Sequence, residues 1–224
     1  MKKALLFCFL LNCCSINIIH AQLFGGLIKS SNGQPAVLPA VTIGTQQWME
    51  KNLDVVTYRN GDIIPQVISA AAWAGLTTGA WCYYNNDPLK GAIHGKLYNW
   101  YAVNDPRGLA PQGWHIPTDA EWTTLSTFLG GDAAAGGKLK TAGITIWNTP
   151  NTSATNESGF AGLPGGWRLN AGMFSNVGDY GFWWSATQLN SANAWYLALY
   201  YNVGYLYRGD YYKYYGFSVR CLRD

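Results

Sequence analysis

The feature that most constrains this chain is a run of tyrosines near its C-terminus: nine of its fifteen tyrosines lie between residues 196 and 215. Tyrosine is a good strand former, so the run could belong to an ordinary β core. Some of these tyrosines are adjacent, however, as in Tyr200-Tyr201 and Tyr214-Tyr215. Adjacent strand residues point to opposite faces of a sheet, so one core cannot bury both. The run therefore predicts an exposed aromatic surface, which is typical of a binding site.

The same segment combines tyrosine with asparagine, aspartate and glycine, which is close to the amino-acid composition of antibody paratopes. Tyrosine offers a large amphipathic contact, while the small polar residues adapt locally. We expect thirteen residues to make one largely exposed ligand face. They are Tyr196, Tyr200, Tyr201, Asn202, Gly204, Tyr205, Tyr207, Gly209, Asp210, Tyr211, Tyr212, Tyr214 and Tyr215.

The composition predicts a globular protein that does not bind nucleic acid. Of the 224 residues, 49% are hydrophobic and 12% are charged, which excludes disorder. The formal net charge of +3 falls to +1 if Lys2 and Lys3 are removed with an N-terminal signal. Nucleic-acid-binding proteins usually carry a basic stripe, and this sequence has none.

Residues 1–21 are typical of a secretory signal peptide, with two lysines followed by a short apolar run. That run is too short to span a membrane, which requires about 20 residues. The alternative is a lipoprotein signal ending at Cys13 or Cys14, but Asn12 is not the small residue such a signal prefers. We expect an exported protein, in the periplasm, on the cell surface or secreted, with no transmembrane segment in the mature chain.

Residues 22–39 are predicted to be a linker, because they hold glycines, serines and prolines without apolar periodicity. Residues 40–224 are predicted to be one domain that opens with a hairpin over 41–49. Thr118 and Glu121 form a capping box before a helix over 119–129, and a weaker helix is expected over 133–141.

The rest of the domain is predicted to be rich in loops, with a possible strand over 53–58 and a meander of strands over 182–223. The pattern favours an α+β fold with few helices and short antiparallel strands. Trp114, Trp122, Trp183 and Trp184 are expected in its core.

No pattern in the chain predicts catalysis or a cofactor. After removal of the signal, His94 and His115 are the only histidines, and neither has a metal ligand at zinc-site spacing. His115 is interpreted as a structural residue whose ring bonds to the backbone. The polar stretches at 85–87 and 104–105 could supply oxygens to calcium, but they also resemble ordinary Asx turns.

Two cysteines, Cys82 and Cys221, remain after removal of the signal. Export exposes them to an oxidising compartment, so we expect a disulfide between them. The alternative is a pair of buried free thiols that pack like small hydrophobic side chains.

Several longer stretches share tryptophan, glycine and proline in specific arrangements, such as Gly113-Trp-His-Ile-Pro-Thr118. These stretches resemble the Fibrobacter succinogenes major paralogous domain, and the resemblance covers about residues 40–224. It implies a C-type-lectin-like fold of the formylglycine-generating-enzyme type in exported bacterial proteins. The stretches are 79–87, 97–104, 107–122, 158–168, 182–185 and 216–223.

Within that family, the chain is most similar to the variable proteins of diversity-generating retroelements. There, mutagenesis of template adenines converts asparagine codons into tyrosine, aspartate, glycine and other codons, close to a fixed C-terminal end. The resemblance implies that 196–215 is diversified and 216–223 is fixed. Trp195, Arg208 and Lys213 would then be scaffold positions.

One departure from the family is Ala110, where many members carry a cysteine. The two cysteines that hold copper in formylglycine-generating enzymes cannot be placed here, so an enzyme is the least favoured interpretation. We expect an exported, non-enzymatic binding protein without a cofactor, whose ligand is a protein or glycan on another cell, a phage or a host surface. The alternative is a carbohydrate-binding or structural module of the bacterial cell surface.

Overall fold

The computed structural model describes residues 38–224, so the predicted signal peptide and nearly all of the predicted linker lie outside the described residues. The helices are α1 (Ala70–Ala74), α2 (Pro88–His94), α3 (Trp100–Val103), α4 (Asp119–Phe128) and α5 (Asp132–Leu139). The strands are β1 (Ala40–Ile43), β2 (Gln46–Met49), β3 (Trp81–Cys82), β4 (Leu97–Tyr98), β5 (Trp114–His115), β6 (Gly165–Arg168), β7 (Phe174–Val177), β8 (Tyr180–Gln188), β9 (Asn193–Tyr200), β10 (Leu206–Tyr212) and β11 (Leu222–Arg223).

The strands form three sheets, with orders β1-β2-β11-β5, β10-β9-β8-β6-β7 and β3-β4. The pairings are antiparallel except for one parallel bridge between β6 and β8. In the first sheet Leu222 pairs with both Trp48 and His115, so the C-terminal end of the chain closes against the opening hairpin. The second sheet carries the tyrosine run on β9 and β10 and is the platform for the candidate site.

The opening hairpin and the capped helix agree with the sequence predictions. Ile43 pairs with Gln46 around a tight turn, at which Gly44 has a φ of 62°. The Thr118 side chain accepts from the N–H of Glu121 while the Glu121 side chain accepts from the N–H of Thr118, so the capping box is complete. Both ends of the box satisfy N–H groups that have no partner inside α4.

The core occupies both faces of the five-stranded sheet. On one face, Trp183 packs with Trp48 and Trp122 from other elements; on the opposite face, Trp184 packs with Phe217. Trp114, Trp122, Trp183 and Trp184 are all buried, as predicted. Core side chains on both sides of the sheet explain why this chain needs so many large aromatic residues.

Three parts of the secondary structure differ from expectation. Residues 53–58 contain no strand beyond an isolated bridge at Thr57, and α1, α2 and α3 were not predicted because each is too short to show helical periodicity. The stretch 216–221 is not a regular strand; it runs between the sheets through single bridges, such as those from Phe217 to Tyr98 and from Ser218 to Trp183.

The predicted disulfide is wrong in this structure. Cys82 and Cys221 are free thiols, and both are fully buried. Cys82 lies on β3 in a small cluster with Trp73 and Leu97, whereas Cys221 lies in the larger cluster around Phe217. Burial raises the pKa of each thiol to about 12. The alternative of two packed thiols therefore describes the structure.

None of the helices within residues 38–224 is both long and apolar enough to cross a membrane.

Candidate functional site

One face of the five-stranded sheet gathers aromatic side chains from three neighbouring strands. Tyr180 on β8 lies opposite Tyr200 on β9, and Trp184 lies opposite Tyr196. On β10, Tyr207 and Tyr211 occupy alternate positions, which places both side chains on this same side of the sheet. Sequence alternation and cross-strand register together thus produce a continuous aromatic surface.

Four tyrosines with contacting, mutually tilted rings form a row across this surface, here called the tyrosine row: Tyr180, Tyr200, Tyr207 and Tyr205. The ring centroids of Tyr180 and Tyr200 are 4.2 Å apart, and those of Tyr200 and Tyr207 are 4.1 Å apart. The Tyr205 ring lies 4.5 Å from that of Tyr207, and the two hydroxyls hydrogen-bond to each other. The row crosses β8, β9 and β10 and continues onto the turn before β10.

A second aromatic group lies beside the tyrosine row. Tyr196 and Tyr211 have centroids 5.8 Å apart, and Tyr211 stands 4.3 Å from Tyr215. Trp167 on β6 packs 5.4 Å from Tyr211 and stacks on Phe182 at 4.5 Å. We call the combined surface the aromatic face; it consists of Trp167, Tyr180, Tyr196, Tyr200, Tyr205, Tyr207 and Tyr211.

Sequence reasoning missed Tyr180 and Trp167, because both precede the tyrosine-rich segment. A signal was present for Tyr180, since Tyr180, Phe182 and Trp184 alternate along a single strand. No local signal marked Trp167; only the joining of β6 to β8 brings it to this face.

The thirteen predicted site residues are not equally exposed. Asn202, Tyr205, Asp210 and Tyr212 are exposed, whereas Tyr215 is only 7% exposed and belongs to the core. Its predicted place on an exposed face is therefore corrected: the ring packs beneath Tyr211 and against Phe217. The other eight are half-buried: Tyr196, Tyr200, Tyr201, Gly204, Tyr207, Gly209, Tyr211 and Tyr214.

The thirteen also divide between the two sides of the sheet. Asp210 and Tyr212 alternate with Tyr211 along β10 and so point away from the aromatic face. Tyr201 packs against the opposite core cluster, with Leu197 and Leu199. Tyr212 and Tyr214 stack on each other at 5.2 Å. The thirteen residues therefore do not form a single surface. Some belong to the aromatic face, and the others lie on the opposite side of the sheet or beyond the end of β10.

Three hydroxyl groups of the aromatic face, those of Tyr196, Tyr200 and Tyr207, have a raised pKa and stay protonated at neutral pH. Burial raises the pKa of Tyr196 and of Tyr200. The hydrogen bond to Tyr205, together with desolvation, raises the pKa of Tyr207 to about 12. These groups are therefore neutral donors and acceptors of hydrogen bonds.

A buried lysine holds the turn between β9 and β10 through the backbone. Lys140 Nζ donates to the carbonyl oxygens of Thr152, Tyr200 and Val203, at 2.7, 3.0 and 2.8 Å. Burial lowers the pKa of this lysine to about 8. The N–H of Gly137 also donates to the carbonyl of Gly204 at 2.8 Å. Because the turn is held at its carbonyls, its side chains are free to differ without loss of these bonds.

The residues expected to be scaffold positions make structural contacts. Arg208 Nη2 donates to the Asp119 carbonyl at 2.9 Å and to Thr123 Oγ1 at 2.7 Å, tying β10 to α4. Lys213 Nζ donates to Gln188 Oε1 at 2.9 Å and lies 4.7 Å from the centre of a Trp100 ring. Trp195 is half-buried on the side of β9 opposite Tyr196.

His115 joins two carboxylates rather than bonding to the backbone as expected. Its Nδ1 lies 2.7 Å from Asp224 Oδ1, and its Nε2 lies 2.9 Å from Glu121 Oε1. Burial alone would lower the pKa of this histidine, but the hydrogen bonds to the two carboxylates raise it above 6.5. The arrangement ties the C-terminus to the first turn of α4.

The other polar candidates serve local structure. Asp87 caps α2 by accepting from the N–H of Leu89, and Asp105 pairs with Arg107 at 2.8 Å. Across the described part of the chain, no group of three His, Cys, Asp or Glu side chains is placed to hold a metal ion.

Comparison of the chain with known protein families gives one match. The family described as Fibrobacter succinogenes major domain (Fib_succ_major) matches residues 41–223. The chain belongs to this family. The match begins in β1 and ends in β11, so the aromatic face lies wholly within the Fibrobacter succinogenes major domain. No curated protein and no solved structure matches the chain.

Proposed function

We propose that this protein is an exported, non-enzymatic binding protein that presents the aromatic face to a protein or glycan ligand. The observation that carries the proposal is the tyrosine row, in which Tyr180, Tyr200 and Tyr207 align across three strands at 4.1–4.2 Å. Tyrosine clusters that combine apolar rings with neutral hydroxyls are the groups that dominate the energetics of many binding interfaces.

Diversification of the segment 196–215 by a retroelement is the second part of the proposal. The backbone tethers of the β9–β10 turn support it, because the bonds from Lys140 and Gly137 depend on carbonyls and not on variable side chains. Arg208 and Lys213 support it as well, since each binds elements outside the segment. We further propose that the domain has the C-type-lectin-like fold that its family resemblance implies; its mixed helices and antiparallel sheets are compatible with that fold.

Binding is tested by screening the mature chain against a random-peptide phage library and a glycan array. We expect binders that are lost in a Tyr205→Ser/Tyr207→Ser/Tyr211→Ser variant and retained in a Tyr83→Ser control. Tyr83 is matched because it is also a half-buried tyrosine, and its ring packs against Trp81 of the separate β3-β4 sheet. Binders that survive the triple change would contradict the proposed face.

Diversification is tested by sequencing the gene in sibling cells. The proposal requires differences that are confined to adenine-derived codons between about 188 and 215. It also requires a reverse transcriptase and a near-identical template repeat nearby. Identical sequences in all siblings, together with no such template, would contradict it.

A further inference from the structure

Tyr205 and Tyr207 form the outer end of the tyrosine row, and their phenol groups meet there. One residue, Leu206, lies between them in the chain. Their ring centroids are 4.5 Å apart, and their two hydroxyls hydrogen-bond to each other. The two rings are therefore in contact at the ends that carry the oxygen atoms.

The contact between hydroxyls distinguishes this pair from the other neighbours in the row. The ring centroids of Tyr180 and Tyr200 are 4.2 Å apart, and those of Tyr200 and Tyr207 are 4.1 Å apart. Within residues 38–224, only Tyr205 and Tyr207 among these neighbours join their hydroxyls by a hydrogen bond. In a tyrosine ring the two Cε carbons flank the carbon that bears the hydroxyl. Hydrogen-bonded hydroxyls therefore bring Cε carbons of the two rings close together.

The pair is also open to solvent. Tyr205 is 40% exposed and is the one exposed member of the tyrosine row, while Tyr207 is half-buried. A reagent in solution thus reaches the row first at this pair.

The backbone around the pair is held in place. A Cβ atom added at Gly136 of α5 would lie 2.4 Å from the carbonyl carbon and oxygen of Tyr205, so the helix packs directly on this residue. The carbonyl of Gly204 accepts from Gly137 of the same helix, and Leu206 is buried and pairs with β9. Because the backbone is fixed on both sides of Tyr205, the two rings stay next to each other.

Neighbouring phenols of this kind couple when they are oxidised. Loss of one electron and the hydroxyl proton turns a tyrosine into a phenoxyl radical, whose unpaired electron is shared by the oxygen and by the ring carbons ortho and para to it. The para carbon already carries the rest of the side chain, so two radicals join through their Cε carbons. The hydrogen on each joined carbon then moves to the oxygen and restores the phenol. In total one C–C bond forms, two C–H bonds break, and two electrons and two protons leave.

We propose that Tyr205 and Tyr207 are the site of an intramolecular dityrosine bond, formed between their Cε carbons by a haem peroxidase that uses hydrogen peroxide. The peroxide takes up the two electrons and two protons and is reduced to two molecules of water. The bond would hold the outer end of the tyrosine row in one arrangement. The inference is independent of the proposed binding function, because it concerns the reactivity of two side chains and not a ligand.

The test treats a chain that begins at Gln22 with hydrogen peroxide and a haem peroxidase, and measures dityrosine fluorescence and intact mass. We expect a fluorescent monomer that is lighter by two hydrogen atoms. Trypsin releases residues 169–208 as one peptide, which contains six tyrosines. Its fragmentation spectrum should confine the loss of the two hydrogens to residues 205–207.

Three phenylalanine variants show whether the hydroxyl contact selects the pair. Tyr205→Phe and Tyr207→Phe keep the ring but cannot form a phenoxyl radical, so each should abolish the mass loss in the peptide. Tyr212→Phe is the matched control, because Tyr212 is 45% exposed and stacks on Tyr214 rather than on the row. It should leave the mass loss unchanged. Circular dichroism checks that all three variants fold.

Several outcomes would overturn the inference: no lighter monomer, dimers linked between two chains in its place, or a bond that maps to Tyr200 and Tyr207. A Tyr205→Phe variant that still forms the link in full yield would also overturn it. None of these outcomes bears on the proposed binding function, since the binding screen uses protein that has not been oxidised.

Discussion

The ring of Tyr196 lies across the backbone of Gly209, its cross-strand partner on β10. A Cβ atom added at Gly209 would lie 3.0 Å from Tyr196 Oη and 3.1 Å from its Cε1. A larger residue at this position would lift the ring away from the sheet. The absence of a side chain at Gly209 thus allows the Tyr196 ring to lie close to the sheet within the aromatic face.

Gly209→Ala is therefore expected to destabilise the fold by about 1 kcal/mol, through crowding of the Tyr196 ring. In a Tyr196→Ala background the same change should cost close to nothing, because the ring that it crowds is absent. A double-mutant cycle by urea denaturation measures the difference. Equal effects in both backgrounds would show that the two residues are not coupled.

The tyrosines of the segment should differ in their importance for stability. Tyr205→Ala and Tyr212→Ala, at positions 40% and 45% exposed, should each change the free energy of unfolding by no more than about 0.5 kcal/mol. Tyr200→Ala should cost more, since that ring packs against the rings of both Tyr180 and Tyr207. Trp183→Ala, at a fully buried position, should cost about 3–5 kcal/mol. Thermal and urea denaturation rank the four variants by their free energy of unfolding. If Tyr205→Ala lowered this free energy as much as Trp183→Ala does, the exposed position of Tyr205 would be contradicted.

Lys140→Met should destabilise the protein by about 3 kcal/mol, because three carbonyls would lose a charged donor in a buried site. Lys138→Met is the matched control. Lys138 pairs with Glu157 at the surface, where such pairs contribute about 0–1 kcal/mol. Urea denaturation compares the two variants, and similar losses would mean that the Lys140 bonds do not secure the β9–β10 turn.

His115 should stabilise the protein at acidic pH. Its pKa in the folded state lies above 6.5, so its contribution is fully present below pH 6.5 and is lost as the pH rises through the folded-state value. All three side chains are partly exposed, so the effect should stay below about 1 kcal/mol. His115→Gln should reduce the free energy of unfolding more at about pH 5.5 than at about pH 9. A pH-independent difference would contradict this role.

The two cysteines should react as free thiols only after unfolding. A chain that begins at Gln22 should take up no alkylating reagent when folded, because Cys82 and Cys221 are buried and their pKa values are raised to about 12. After denaturation without reductant, intact mass should show two labels. Failure of the denatured chain to take up label would reveal a disulfide.

Local chemistry determined several features of this protein from the sequence alone. The capping box of Thr118 and Glu121 and the Gly44 turn were predictable, because each depends on residues within a few positions. Tyr200 and Tyr201 pack against different core clusters, as alternation along a strand predicts. Tyr214 and Tyr215 do not follow this rule, because they lie beyond the end of β10 and both pack against the same cluster.

Only the tertiary structure decided how those tyrosines are used. It placed Tyr215 in the core and brought Trp167 and Tyr180 to the aromatic face, because strand order sets which side chains become neighbours. It separated Cys82 from Cys221 by assigning them to different clusters, and it paired His115 with the C-terminal Asp224. Contacts between residues distant in sequence depend on register and packing, which no local pattern encodes.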